Sequence, residues 1–186
     1  MTTLRERVAG ERRRLKSVRE TLSAAVARTS GGDAAFAPFY IAVSDYIETS
    51  MGRLHAQDVK MGNMIKEKLG KLDATAEQAM KELDERLAGN QRHLEKMVMA
   101  RTRLAKDTSA AALKDFEAAA DAYTRYIVAN MGHHGATTDL AGRLFSQQDW
   151  EYMAGVTDEE TRTEQRLYAR VFDTLPGALS DLRPTG

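Results

Sequence analysis

The chain has 186 residues, with 27 basic and 27 acidic side chains, four histidines and no cysteine. That length suits one compact domain, the balanced charge lacks the bulk basicity of a dedicated nucleic-acid binder, and the missing thiols exclude disulfides, thiolate metal sites and cysteine catalysis. No run approaches the ~20 apolar residues that a membrane helix needs. The arginine-rich start carries Glu6, Glu11 and Glu20 and leads into no apolar secretory core, so a cytoplasmic protein without nucleic-acid or membrane partners is expected.

Pro38, Pro176 and Pro184 are the only prolines, which leaves residues 39–175 free of the strongest helix breaker. No alternating strand pattern interrupts that span, and the reading is an all-α fold. The first helix is expected over residues 3–29, with Leu4, Val8, Leu15, Val18, Leu22 and Ala25 as its buried face. Glu11 stands on that stripe, where the plain reading pairs it with one of the arginines at 12–14. Thr29 to Asp33 form a turn, and Pro38 falls in the first turn of a second helix that ends at Leu69 with Gly70 as its cap.

Along this second helix Phe36, Tyr40, Val43, Ile47, Met51, Leu54, Met61 and Ile65 recur in steps that make an apolar stripe. Asp58 is the one charge on it, and His55 precedes it by one turn on the same face. A buried carboxylate needs hydrogen-bond donors, a cation or a metal ion as partner. Asp73 caps a third helix with Ala76, Met80, Leu83, Leu87, Leu94, Met97 and Leu104 inward and His93 beside them. Ser109 opens a fourth, burying Leu113, Phe116, Tyr123, Ile127, Met131, Leu144 and Phe145, with His134 on the same face and His133 beside it. Short turns make consecutive helices antiparallel, which gives an up-down-up-down four-helix bundle over residues 1–147. Residues 148–186 are expected as a more polar C-terminal helical segment and tail packed on that bundle.

Residues 36–65 are echoed eighty positions later in 116–145, with Phe36, Tyr46, Ile47, Met51 and Gly52 repeated as Phe116, Tyr126, Ile127, Met131 and Gly132. Counting residues away from each turn brings Glu11, His55 and Asp58 to one layer, with His93 and His134 a turn or two off. Inward carboxylates and imidazoles from several helices are the setting of a non-haem iron centre. The plainer alternative makes His55 and Asp58 a self-satisfied pair and the other histidines solvated. His55 oriented by Asp58 also has the form of a general base, but no nucleophile spacing, phosphate loop or HExxH motif names a reaction.

The segments LHAQDVKMGNMIKEKL and YIVANMGHHGATTDLAGRLFSQQDWEYM, together with the paired helices, make the chain resemble the hemerythrin-like, or HHE cation-binding, family over residues 1–155. Such proteins hold irons between four helices through histidines and carboxylates and bind oxygen, nitric oxide or iron. The resemblance implies iron at a set drawn from Glu11, His55, Asp58, His93, His134 and Asp139, with a metal ion or small diatomic ligand as partner. This sequence departs from the family pattern: the first helix has no histidine, His55 is followed at i+4 by Val59 and His134 by Thr138, and Arg13 stands eighty positions before His93. Asp139 follows His134 at i+5. A mononuclear or altered di-iron site is therefore the expectation, and a metal-free bundle working through a homodimer or protein partner is the alternative.

Overall fold

Short polar side chains set where the helices begin. Asp33 accepts from the Ala35 amide at 2.9 Å and Asp73 from the Ala76 amide at 2.8 Å, while Ser146 and Thr157 each form a reciprocal capping box with the acid three residues on, Asp149 and Glu160. The structure, a computed structural model, describes residues 4–130 and 135–184. Its helices are α1 (Leu4–Arg28), α2 (Ala37–Leu69), α3 (Ala74–Leu104), α4 (Ala110–Asn130), α5 (Gly135–Leu144), α6 (Gln147–Met153) and α7 (Asp158–Asp173), with 3-10 turns at Ala34–Phe36 and Gly177–Leu182. Among the described residues all regular structure is helical, as the periodicity predicts. No helix among them is long and apolar enough to cross a membrane.

α1 packs on α2 and α4, and α3 packs on α2 and α4. At the α1–α2 turn, Gly32 adopts φ 86° and lies so close to α4 that a β-carbon there would sit 2.9 Å from that of Ala110. Glu117 of α4 fastens the same turn, accepting from the Ser30 amide at 2.6 Å and the Tyr40 hydroxyl at 2.8 Å, while Tyr40 stacks on Phe116 at 4.9 Å. Burial, and then the bond to Glu117, pushes the Tyr40 phenol far above its ordinary range.

The expected fourth helix is described as α4 up to Asn130 and as α5 from Gly135, with 131–134 outside the described residues, and α5 packs on α2 and α3. The C-terminal segment is two helices, and α7 lies along α2 and touches α1. Its Val171 and Phe172, with Leu179 beyond it, enter the same apolar cluster as Leu22, Phe39, Leu104 and Phe116.

A second apolar cluster fills the other end, where Met61, Met64 and Ile65 of α2 meet Ala79 and Met80 of α3 and Ala141 and Phe145. Trp150 packs edge-on against Phe145 at 5.3 Å. Residues 52–60 of α2 and 81–93 of α3 belong to neither cluster. The polar groups of the interior gather in that gap.

Candidate functional site in the polar middle of the helices

On the α1–α2–α7 side the gap is closed by ion pairs. Arg53 of α2 donates from Nη1 to Glu11 at 3.3 Å and from Nη2 to Glu164 of α7 at 2.8 Å. Glu164, 2% exposed, also accepts from Arg14 Nε at 3.3 Å and from the Tyr46 hydroxyl at 3.2 Å. Burial drives the Tyr46 phenol well above its ordinary range, and the Glu164 charge adds to this. Each buried carboxylate thus faces a guanidinium, the arrangement that offsets the desolvation of both.

Glu11 is buried as its stripe position predicts, but its partner is Arg53 and not an arginine from 12–14. Burial raises its carboxyl above the ordinary glutamate value, with the nearby Glu164 charge also raising it and Arg53, Arg7 and Arg14 opposing. Between the ordinary and the raised value the folded state binds more protons than the unfolded chain, so this group's contribution to stability falls as pH climbs through that window. Glu11→Gln keeps an acceptor for Arg53 and cannot ionise. The difference in urea midpoint between the variant and the parent is expected to move in the variant's favour from about pH 4 to 7, and a pH-independent difference would contradict this.

The α2–α3–α4 side is built differently. Asp58 of α2 does not bond His55; its Oδ2 accepts from Arg86 Nη1 of α3 at 3.0 Å. The Arg86 side chain is 4% exposed, yet its Nε and Nη2 are buried without a hydrogen-bond partner among the described residues. One turn on, Asn90 Oδ1 is in the same condition, and so is His93 Nδ1 after it. The His93 ring stacks on Tyr126 of α4, centroids 4.5 Å apart. Burial first, then Lys96 and Arg92, holds the His93 imidazole below the ordinary histidine value.

A glycine makes that stacking fit. A β-carbon on Gly89 would lie 1.7 Å from Tyr126 Oη, so the tyrosine hydroxyl occupies the space a side chain would need. Asn130, whose Nδ2 donates to the Tyr126 carbonyl at 2.8 Å, lines a groove of about 380 Å³ with Arg86, Arg92, Tyr126, Glu82 and Glu85. Four buried polar atoms without partners on two successive turns are unusual, because such groups are normally satisfied and each costs free energy when it is not.

The six sequence-predicted residues are thus dispersed. Glu11 belongs to the closed network, Asp58 is bound to Arg86, and His55 is half-buried with no hydrogen bond or ion pair. His93 stacks on Tyr126, Asp139 is exposed on α5, and His134 lies outside the described residues. Among the described residues no three His, Asp or Glu side chains gather where they could share a metal ion. Glu11 and Asp58 also have a guanidinium nitrogen within 3.3 Å and 3.0 Å respectively, which disfavours a dication beside them.

The tail motif has a local role: Asp149 caps α6 and pairs with Lys68 at 3.0 Å, which holds its carboxyl down to about 2. Arg53, Arg86, Asn90, Tyr126 and Glu164 are interior polar residues that periodicity did not single out. Two signals pointed to them: Gly89 in mid-helix, a mark of close approach, and Glu164 at the i−4 and i−7 positions of Tyr168 and Val171 on one face of α7. No protein-family model matches this chain, and neither the curated proteins nor the solved structures searched contain a match.

Proposed function

We propose that this protein binds a small ligand in the polar layer between α2, α3 and α4, the hemerythrin-like helices forming an up-down-up-down bundle around it with α6 and α7 laid on its flank. The short turns between the first four helices and the packing of α1 and α3 each against α2 and α4 support that topology. The observation that carries the functional reading is the row of unpartnered buried atoms on α3, from Arg86 through Asn90 to His93. On the α1–α2–α7 side the carboxylates are paired and Arg53 has both Nη groups bonded with only its Nε unpartnered, whereas on α3 four such atoms follow one another. A binding layer leaves donors and acceptors for its guest.

Gly89→Ala tests this reading, because the new methyl forces Tyr126 off α3 and dismantles the wall of the layer. Small-molecule fragments that shift the His93 ring resonances of the parent protein are expected to lose that effect in Gly89→Ala. A fragment set that perturbs no resonance near His93 in the parent would argue against a binding layer.

Iron is the second reading. His93 supports it, with an imidazole held below the ordinary histidine value whose Nδ1 has no partner among the described residues, as does the resemblance that draws His55, Asp58, Glu11, His134 and Asp139 into one ligand set. Elemental analysis of protein purified without chelator decides it. Stoichiometric iron lost in His93→Ala or His55→Ala supports an iron site, and metal-free protein that still binds fragments leaves the layer to a non-metal ligand.

A further inference from the structure

The two unpartnered nitrogens of Arg86 are not scattered over the guanidinium. Nε and Nη2 form its lateral edge, whose N–H bonds run parallel, while Nη1 on the other side is taken by Asp58. Arg7, Arg53 and Arg101 also have a buried unpartnered Nε, but Arg86 presents a whole free fork. That fork matches two oxygens of one planar group.

We propose that the Nε–Nη2 edge of Arg86 binds the carboxylate of a small organic acid that enters from the groove between α3 and α4. This rests on the ligand-binding reading of the layer and names its guest. Charge around the groove selects for a monoanion. Asp58 neutralises one face of Arg86 and Lys81 lies 3.9 Å from Glu85, which leaves Arg92 and Glu82 at the rim with no net charge between them. With these pairs the groove is neutral overall, so a monocarboxylate adds one negative charge beside Glu82 and Glu85 and a dianion such as phosphate adds two, which makes the monoanion the less disfavoured guest of the fork. The fork nitrogens are shut off from bulk water, and Arg86 lines the groove together with the half-buried Tyr126 and Asn130, so a guest enters by opening that lining.

Acetate is the probe, titrated into the full chain at constant ionic strength with sodium chloride and sodium phosphate as the comparison arms. The thermal midpoint is expected to rise with acetate and level off, as binding to the folded state requires, with no such rise in either comparison arm. The Nε–H resonance of Arg86 should shift over the same concentrations. In Arg86→Met, which keeps the length of the side chain and removes the fork, the acetate effect should vanish.

Equal shifts with chloride, a larger shift with phosphate, or an acetate effect that survives Arg86→Met would each overturn the proposal. If acetate does nothing while other fragments or iron perturb His93, the carboxylate assignment falls and the binding layer stands. If nothing perturbs His93 or Arg86, both fall.

Discussion

Glu164→Ala is expected to cost about 3–5 kcal/mol, the range for removing one partner of a buried ion pair. The carboxylate is almost wholly buried and holds Arg53 at 2.8 Å and Arg14 and Tyr46 at slightly longer range. Its loss leaves Arg53, itself only 14% exposed, with Glu11 alone. The same loss removes the buried polar contact of α7 with α1 and α2, which leaves the exposed Arg170–Asp45 pair and the apolar seating of Val171 and Phe172 to hold that helix. Glu20→Ala provides the scale. Its pair with Lys16 is 3.7 Å long with both side chains more than 60% exposed, and it should change stability by less than ~0.5 kcal/mol. Urea unfolding of the two variants beside the parent measures both, and a Glu164→Ala cost as small as that of Glu20→Ala would remove the ionic layer from the account of α7.

Arg86→Met is expected to change stability in the opposite direction. Two buried guanidinium nitrogens without partners carry a desolvation cost of about 1–3 kcal/mol each, and a thioether of similar length removes them. Asp58 loses a partner, but its side chain is 26% exposed and water replaces part of the bond, so this opposing loss is about 1 kcal/mol. A net gain of about 1–5 kcal/mol, read from chemical denaturation without added ligand, follows from these magnitudes. A net loss as large as that of Glu164→Ala would mean that Arg86 is a structural ion pair and not a group held in reserve. Stability withheld where a whole guanidinium edge is left unpartnered is the pattern of a site kept for function.

The helical class, the positions of most turns and the inward stripe of α2 were legible because each rests on local chemistry: proline placement, caps such as Asp73 and the 3.6-residue period of Phe36 to Ile65. The interior position of Glu11 was legible for the same reason. Its partner was not, because periodicity gives the direction of a side chain and not what the facing helix presents. Arg53 sits one residue from the α2 stripe and Arg86 one residue from that of α3, offsets a long guanidinium spans by reaching inward along its stem. The grouping of Asp58 with an arginine, where a metal was expected, follows from that reach. The entry of α7 into the core depends on one acid in a polar helix, which a count of apolar residues does not record.

A crystal structure of the protein grown in acetate, at a resolution that shows ordered solvent, tests the central claim most directly. The account predicts density for a planar anion against Nε and Nη2 of Arg86, with Nη1 still on Asp58 and the His93–Tyr126 stack bordering it. Arg86 with every nitrogen bonded to protein groups, and no guest between α3 and α4, would contradict it.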